Sequence, residues 1–329
     1  MLVGLALLAW FIWKIELDWR LLASAHPVAV FCSILVFLFI IPVTAFRTRA
    51  LLPVGQKPSL IKLLKTEFSA RFVYYVFPFR LNIPAKAIFL QRFAGTRKTI
   101  GLSACMFEFF VDSLTAIAIA FIGSYLFFGT TFENWSNALQ ALAISAIVAT
   151  FALLFNPVLI RRILAFFEHL PKPLPAITGH IGKVYSQFQA ISQKPATELM
   201  LPFLLTGVIW LLSAIQTSLL FLAYGLDVPF WTIFTITALG LFIGFLSQVP
   251  GGIGFREASM VYLFGLSGVD HSIALAVVLW SRLVTLIPIA IGTFILGRDL
   301  QKNDWSLEGL LKTTTHDGEE KKPHVSEKT

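Results

Sequence analysis

Charge is scarce in this chain. Only 13% of its 329 residues are Asp, Glu, Lys or Arg, against 57% that are hydrophobic, and a water-soluble domain needs about a quarter charged residues to cover its surface. Cysteine is nearly missing. Cys32 and Cys105 both fall inside apolar stretches, where a free thiol behaves as a small hydrophobe, so neither a disulfide framework nor a zinc site is expected. His26, His169, His180, His271, His316 and His324 are scattered without the pairwise spacing of a metal site. No nucleotide-binding loop, metal motif or nucleophile constellation stands in the sequence, so no metal, no cofactor and no catalytic residue is expected.

Long apolar runs are what the chain has instead. With a mean hydropathy of +0.78, its solvent is the bilayer. Stretches 28–46, 100–128, 137–160, 199–224, 229–249 and 272–297 each reach the ~20 apolar residues that a span needs. The stretch from Met1 to Ile15 is shorter and lacks the basic start and small-residue cleavage site of a secretory signal. It reads as a first span running on to Trp19, and a start placed too late reads the same way.

The net charge of +8 is better explained by topology than by a nucleic-acid partner. Loop 14–27 balances its charges, whereas 47–65 holds Arg47, Arg49, Lys57, Lys62 and Lys65. By the positive-inside rule the first loop is external, the second cytoplasmic, and the N-terminus starts inside. Arg80, Lys86, Arg92, Arg97 and Lys98 also ask for the cytoplasm, so the apolar stretch between the two clusters should not cross. Its uninterrupted part, Phe72 to Phe79, would rise only about 12 Å as a helix, well short of a core of roughly 30 Å. Residues 60–95 are therefore expected to form a re-entrant or interfacial hairpin turning near Pro78 to Pro84. Loop 161–197, basic and proline-rich, is expected to be a cytoplasmic connector with a short amphipathic helix at most.

In the second half, 229–249 ends in Pro250-Gly251-Gly252-Ile253-Gly254, and Ala258 to Leu266 is too short to cross back. A cytoplasmic tail then requires 229–268 to enter and leave on the external side. The expected fold is an all-α polytopic membrane protein of about six full spans with two oppositely oriented re-entrant hairpins in an inverted repeat. Half one is 1–128 and half two 137–298, and 299–329 is a polar cytoplasmic tail too poor in apolar residues to fold alone. Inverted repeats with broken helices meeting near the midplane are a transporter plan.

Irregular backbone at membrane depth is tolerated where protein or a wet cavity satisfies its peptide groups. Gly251, Gly252 and Gly254 thus either line a cavity or merely reverse the chain. Arg256 and Glu257 follow directly, and ionisable groups inside a membrane are costly enough to suggest function. Arg256 suits bidentate phosphate binding and Glu257 a helix start, the alternative being a mutual or structural salt bridge. Glu108 and Asp112 lie four apart on one helical face and form an intramembrane charge cluster, expected to face Arg282 across the bundle as a structural lock or a proton relay. Arg80, Asn82 and Lys86 give the first turn a basic, hydrogen-bonding rim. Glu67 and Arg71, also four apart, read as an ordinary helix pair. Arg92, Arg97 and Lys98 suit anionic lipid head groups at the cytoplasmic surface.

The run Ser247-Gln248-Val249-Pro250-Gly251-Gly252-Ile253-Gly254-Phe255-Arg256-Glu257-Ala258, followed by Gly268-Val269, Ala274-Leu275-Ala276 and Ser281-Arg282, resembles the flippase-like family, also called the lysylphosphatidylglycerol synthase transmembrane region. The first half resembles it more loosely. The family's P-x-R-x-G-E stands here as Pro78-Phe79-Arg80-Leu81-Asn82-Ile83, and its E-R-x-x-D as Glu108-Phe109-Phe110-Val111-Asp112. The resemblance covers about 1–298 and implies a membrane module that moves lipids, found alone or fused to a soluble aminoacyl-transferase domain that this sequence lacks.

Three functions are consistent with this reading. The first is a flippase for a lipid with an anionic or phosphate-containing head group, bound by Arg80, Asn82, Gly251, Gly252, Gly254, Arg256, Glu257 and Arg282. The second is a membrane-embedded transferase acting on a lipid phosphate with Glu108, Asp112 and Glu257 as bases. The third is a non-transporting scaffold for a partner enzyme that synthesises lipid. The expected location is a prokaryotic cytoplasmic membrane.

Overall fold

The computed structural model describes residues 19–77, 81–127 and 174–302, and every regular element among them is helical. The spans expected at 1–15 and 137–160, the side chain of Arg80 and nearly all of the tail lie outside the described residues. In chain order the helices are α1 (Trp19–Ala23), α2 (Pro27–Leu51), α3 (Leu60–Val76), α4 (Asn82–Ala94), α5 (Lys98–Phe127), α6 (Leu174–Ser192), α7 (Ala196–Leu222), α8 (Phe230–Leu246), α9 (Phe255–Leu266) and α10 (His271–Lys302). Short 3₁₀ turns at Val54–Gln56 and Pro250–Gly252 join α2 to α3 and α8 to α9.

Among the described residues four helices, α2, α5, α7 and α10, are long and apolar enough to cross a membrane. They coincide with the expected spans at 28–46, 100–128, 199–224 and 272–297. Their large apolar side chains point outward as well as inward, with Phe31, Phe39, Leu204 and Phe294 each more than half exposed, as lipid-facing surfaces require. Between the long helices lie two pairs of shorter ones. Helix α3 packs on α4, and α8 packs on α9. At 17 and 12 residues, α8 and α9 rise only about 25 and 18 Å.

Packing relations in the first set of helices recur in the second. As α3 lies against α10, so α8 lies against α5, while α4 on α5 is matched by α9 on α10, and α2 on α3 by α7 on α8. Helices α2 and α7 share the most extensive helix contact. The two cross-contacts each depend on a glycine. A Cβ on Gly123 of α5 would stand 2.0 Å from Oγ1 of Thr235 in α8, and one on Gly292 of α10 would stand 2.2 Å from the carbonyl oxygen of Phe68 in α3. Small residues of this kind let helix backbones approach where apolar lipid supplies no hydrophobic drive.

Two elements run longer than expected. Helix α6 covers 19 described residues. Its Phe188 packs between Phe107 and Phe110 of α5, and Ser103 Oγ donates to the Val184 carbonyl at 2.8 Å. Helix α10 continues past 298 to Lys302, and Asp299 on the extra turn accepts from Arg92 of α4 at 2.5 Å. Arg92 is thus tied to a carboxylate of the protein.

Candidate functional site

A cavity of about 270 Å³ lies among α2, α3, α4, α5, α7, α8, α9 and α10. Both pairs of short helices contribute to its wall, with Tyr74, Tyr75, Asn82 and Lys86 from one and Thr237, Leu241 and Arg256 from the other.

One end of this cavity is an ion-pair network. Arg47, one turn before the end of α2 and 4% exposed, makes a bidentate pair with Asp112 of α5, Nη1 to Oδ1 at 2.5 Å and Nη2 to Oδ2 at 3.0 Å. Its Nη1 also donates to Thr206 Oγ1 of α7 at 3.1 Å. Lys86 of α4 reaches Glu67 of α3 at 2.6 Å and Glu108 of α5 at 2.7 Å. Thr48 joins them, accepting from Lys86 Nζ at 2.9 Å and donating to Glu108 at 2.6 Å. Buried charges need partners of this quality, because burial of either sign alone costs several kcal/mol.

Behind Tyr75 of the cavity wall sits the Pro250–Gly252 turn. Backbone φ is +58° at Gly251, +66° at Gly252 and +87° at Gly254, values that a Cβ makes unfavourable. Space forbids one as well, since a Cβ on Gly251 would stand 2.6 Å from the Tyr75 ring and one on Gly252 2.8 Å from Gly244 Cα. The turn therefore presses the second short pair onto α3 of the first. Glu257, fully buried, accepts from the Gly254 N–H at 2.6 Å and from Arg282 Nε of α10. Arg282 stacks over Tyr75, 5.8 Å from its centroid. Lys86–Glu108 joins α4 to α5 as Glu257–Arg282 joins α9 to α10, with the polarity of the pair reversed.

These geometries correct two expected pairings and one expected placement. Glu108 and Asp112 do not face Arg282 but pair with Lys86 and Arg47, both nearer in the fold. Of the two salt bridges left open beside the turn, mutual or structural, Glu257 makes the structural one, with Arg282 and not with its neighbour Arg256, since adjacent residues on a helix point apart. Glu67 turns to Lys86 instead of Arg71, and Arg71 lies 5.7 Å from the Phe37 ring centroid. Lys86 is buried inside the network rather than standing on a rim. Asn82 does line the cavity, its Oδ1 without a hydrogen-bond partner, and so does Arg256. Gly251, Gly252, Gly254, Glu257 and Arg282 form the turn beside it.

Several residues at the site escape sequence reasoning. Arg47 closes an apolar run and reads as a loop cation, and Trp210, Thr237 and Tyr75 read as ordinary apolar-segment residues. Three carboxylates within or beside apolar segments, Glu67, Glu108 and Asp112, are the one signal that buried cations must come from elsewhere in the chain.

Comparison with known proteins gives a consistent result. The family described as lysylphosphatidylglycerol synthase TM region matches residues 1–292. A UPF0104 membrane protein of Methanothermobacter thermautotrophicus is 21% identical over 259 residues, 73% of this chain and 74% of that protein. Another from the same organism is 30% identical over 119 residues, spanning 36% of this chain and about a third (33%) of the relative's length. One from Pyrococcus horikoshii is 25% identical over 117 residues, 35% of each chain.

Proposed function

Because the chain belongs to the lysylphosphatidylglycerol synthase TM region family and is an integral membrane protein, we propose that it carries a lipid with an anionic, phosphate-containing head group between the leaflets of a bilayer. The observation that carries this reading is the cavity bounded by both short helix pairs, whose lining residues hold donors without acceptors. Arg71, Arg256, Trp210 and Thr237 line it, and Nε of Arg71, Nε of Arg256, Nε1 of Trp210 and the hydroxyl of Thr237 are buried in its wall without a hydrogen-bond partner. Buried donors of this kind are rarely left unmet, and a phosphate offers several acceptor oxygens at once.

In this reading the short pairs are hairpins that enter the membrane from opposite sides, the chain has six spans in an inverted repeat, and both termini are cytoplasmic. The head group moves through the cavity while the acyl chains stay in lipid. The membrane is the cytoplasmic membrane of a prokaryote, with Arg97 and Lys98 toward its anionic surface. A separate lipid-synthesising enzyme would supply the substrate. The transferase alternative draws less support, because Glu108, Asp112 and Glu257 are each bonded to a cation and are poor candidates for bases.

Reconstitution in liposomes with labelled phospholipid, aminoacyl-lipid and polyprenyl phosphate tests the proposal. Leaflet exchange of at least one should be accelerated, and Arg256→Ala should slow it severalfold. No acceleration for any lipid rejects the reading, and an unchanged rate in the variant removes Arg256 from the site.

A further inference from the structure

The ion-pair network in the cavity wall has more acceptors than protons. Thr48 is fully buried, and its hydroxyl oxygen lies within bonding distance of three acceptors, Glu108 Oε1 at 2.6 Å, Glu67 Oε1 at 3.0 Å and the Thr44 carbonyl at 3.1 Å. A hydroxyl has one proton to give. The contact with Glu108 has the length of an O–H···O⁻ bond and takes it. The Thr44 carbonyl lies inside α2, where the helix ladder meets it. Thr48 Oγ1 and Glu67 Oε1 are then left facing each other, two oxygens with no hydrogen between them. Lys86 does not fill that contact, because its three N–H groups have three oxygens of their own around them, on Glu67, Glu108 and Thr48. A proton on Glu67 completes the set, since Thr48 Oγ1 has accepted only from Lys86 and keeps a second lone pair.

The partners of each carboxylate single out the same residue. Asp112 holds Arg47 bidentately, and Glu108 has Lys86, the Thr48 hydroxyl and Arg47 Nε at 3.7 Å. Glu67 has only its share of Lys86. Arg71, one turn along α3, is turned to the Phe37 ring, and on α10 Arg282 is held by Glu257, Asp299 by Arg92 of α4, and Arg298 lies over Phe294. Cys105 of α5 adds a buried thiol, and the Pro250–Gly252 turn has no titratable side chain. Two buried carboxylates sharing one site keep a proton between them. We infer that Glu67 is a proton-binding site, which in this structure donates its proton to Thr48 Oγ1 and so ties α3 to α2. Glu67 lines the cavity, which gives the proton its way in and out. Ionised, Glu67 has no hydrogen to offer Thr48, and the tie is lost. Helix α3 also carries Arg71, Tyr74 and Tyr75 of the cavity wall. On the transport reading above, on which this step rests, the path is closed with the proton bound and opens when it leaves.

Infrared spectroscopy of the full-length protein in detergent tests the proton, and leaflet exchange in liposomes tests the gate. At pH 6, where ordinary carboxyl groups are ionised, the parent should show the carbonyl band of a protonated carboxylic acid, and Glu67→Gln should lose it. Thr48→Val should move that band to higher frequency, because the acid loses its acceptor, while Thr48→Ser should leave it in place. Absence of the band from the parent, its survival in Glu67→Gln, or its indifference to Thr48→Val overturns the proton on Glu67. The exchange probe is fluorescent phosphatidylglycerol, whose single charge is constant between pH 5 and pH 9. Exchange by the parent should rise severalfold over that range as Glu67 ionises, and Glu67→Gln, neutral at every pH and melting like the parent, should stay at the parent's low-pH rate. A parent rate indifferent to pH, or the same rise in Glu67→Gln, overturns the gate and leaves lipid transport standing. No exchange of any lipid at any pH overturns the transport reading and the gate together, and the infrared band then still decides the proton.

Discussion

Lys86 shows how much of the membrane domain hangs on single side chains. It stands between Glu67 and Glu108 at salt-bridge distance from both, so Lys86→Met strands two carboxylates in a buried site. Removing one partner of a buried pair costs about 3–5 kcal/mol, and the variant should lose that much stability on thermal unfolding in detergent. Adding Glu67→Gln and Glu108→Gln to Lys86→Met should recover most of the loss, because uncharged amides no longer need the cation. Equal melting of Lys86→Met and the parent protein would show the network to be solvated. Which cation meets which carboxylate was not legible in the sequence. Glu67 and Arg71 have the spacing of a helix pair, yet pairing is decided by which cation the tertiary fold buries nearby, and that is Lys86, 19 residues further on.

At the scale of elements, apolar length was the reliable signal. Four expected spans coincide with helices long and apolar enough to cross a membrane, and the stretches expected to form hairpins, 60–95 and 229–268, hold α3 with α4 and α8 with α9. Helix lengths were less legible, since α6 runs over 19 described residues where proline suggested a connector with a short helix at most, and α10 gains a turn that carries the Asp299–Arg92 pair. Close approach was invisible as well, because a glycine in an apolar run does not say what faces it. Gly292 faces the Phe68 carbonyl so closely that Gly292→Ala must push α10 from α3. Overpacking of this type costs about 1–3 kcal/mol, to be read from the melting temperature. Gly297→Ala in the same helix, with open space around it, should melt like the parent. Gly252→Ala adds a positive φ to a Cβ facing Gly244 Cα, and it should impair both folding and lipid movement.

At the scale of the whole molecule, the repeated packing relations and the charge pattern make a topological prediction. In a background of Cys32→Ala and Cys105→Ala, Lys57→Cys should be inaccessible to a membrane-impermeant maleimide added outside intact cells, while Asp227→Cys should react. The reverse pattern would invert the chain, and labelling of both would break the assignment of spans. The central claim is that a lipid head group passes through the cavity between the two short helix pairs, and the most direct measurement is leaflet exchange with that cavity filled. Ser213 lines it, so Ser213→Trp places an indole inside. Liposomes holding the parent protein should exchange fluorescent short-chain phosphatidic acid between leaflets well above the protein-free rate, and Ser213→Trp, melting like the parent, should fall back to that rate. Undiminished exchange in a folded Ser213→Trp protein would contradict the account.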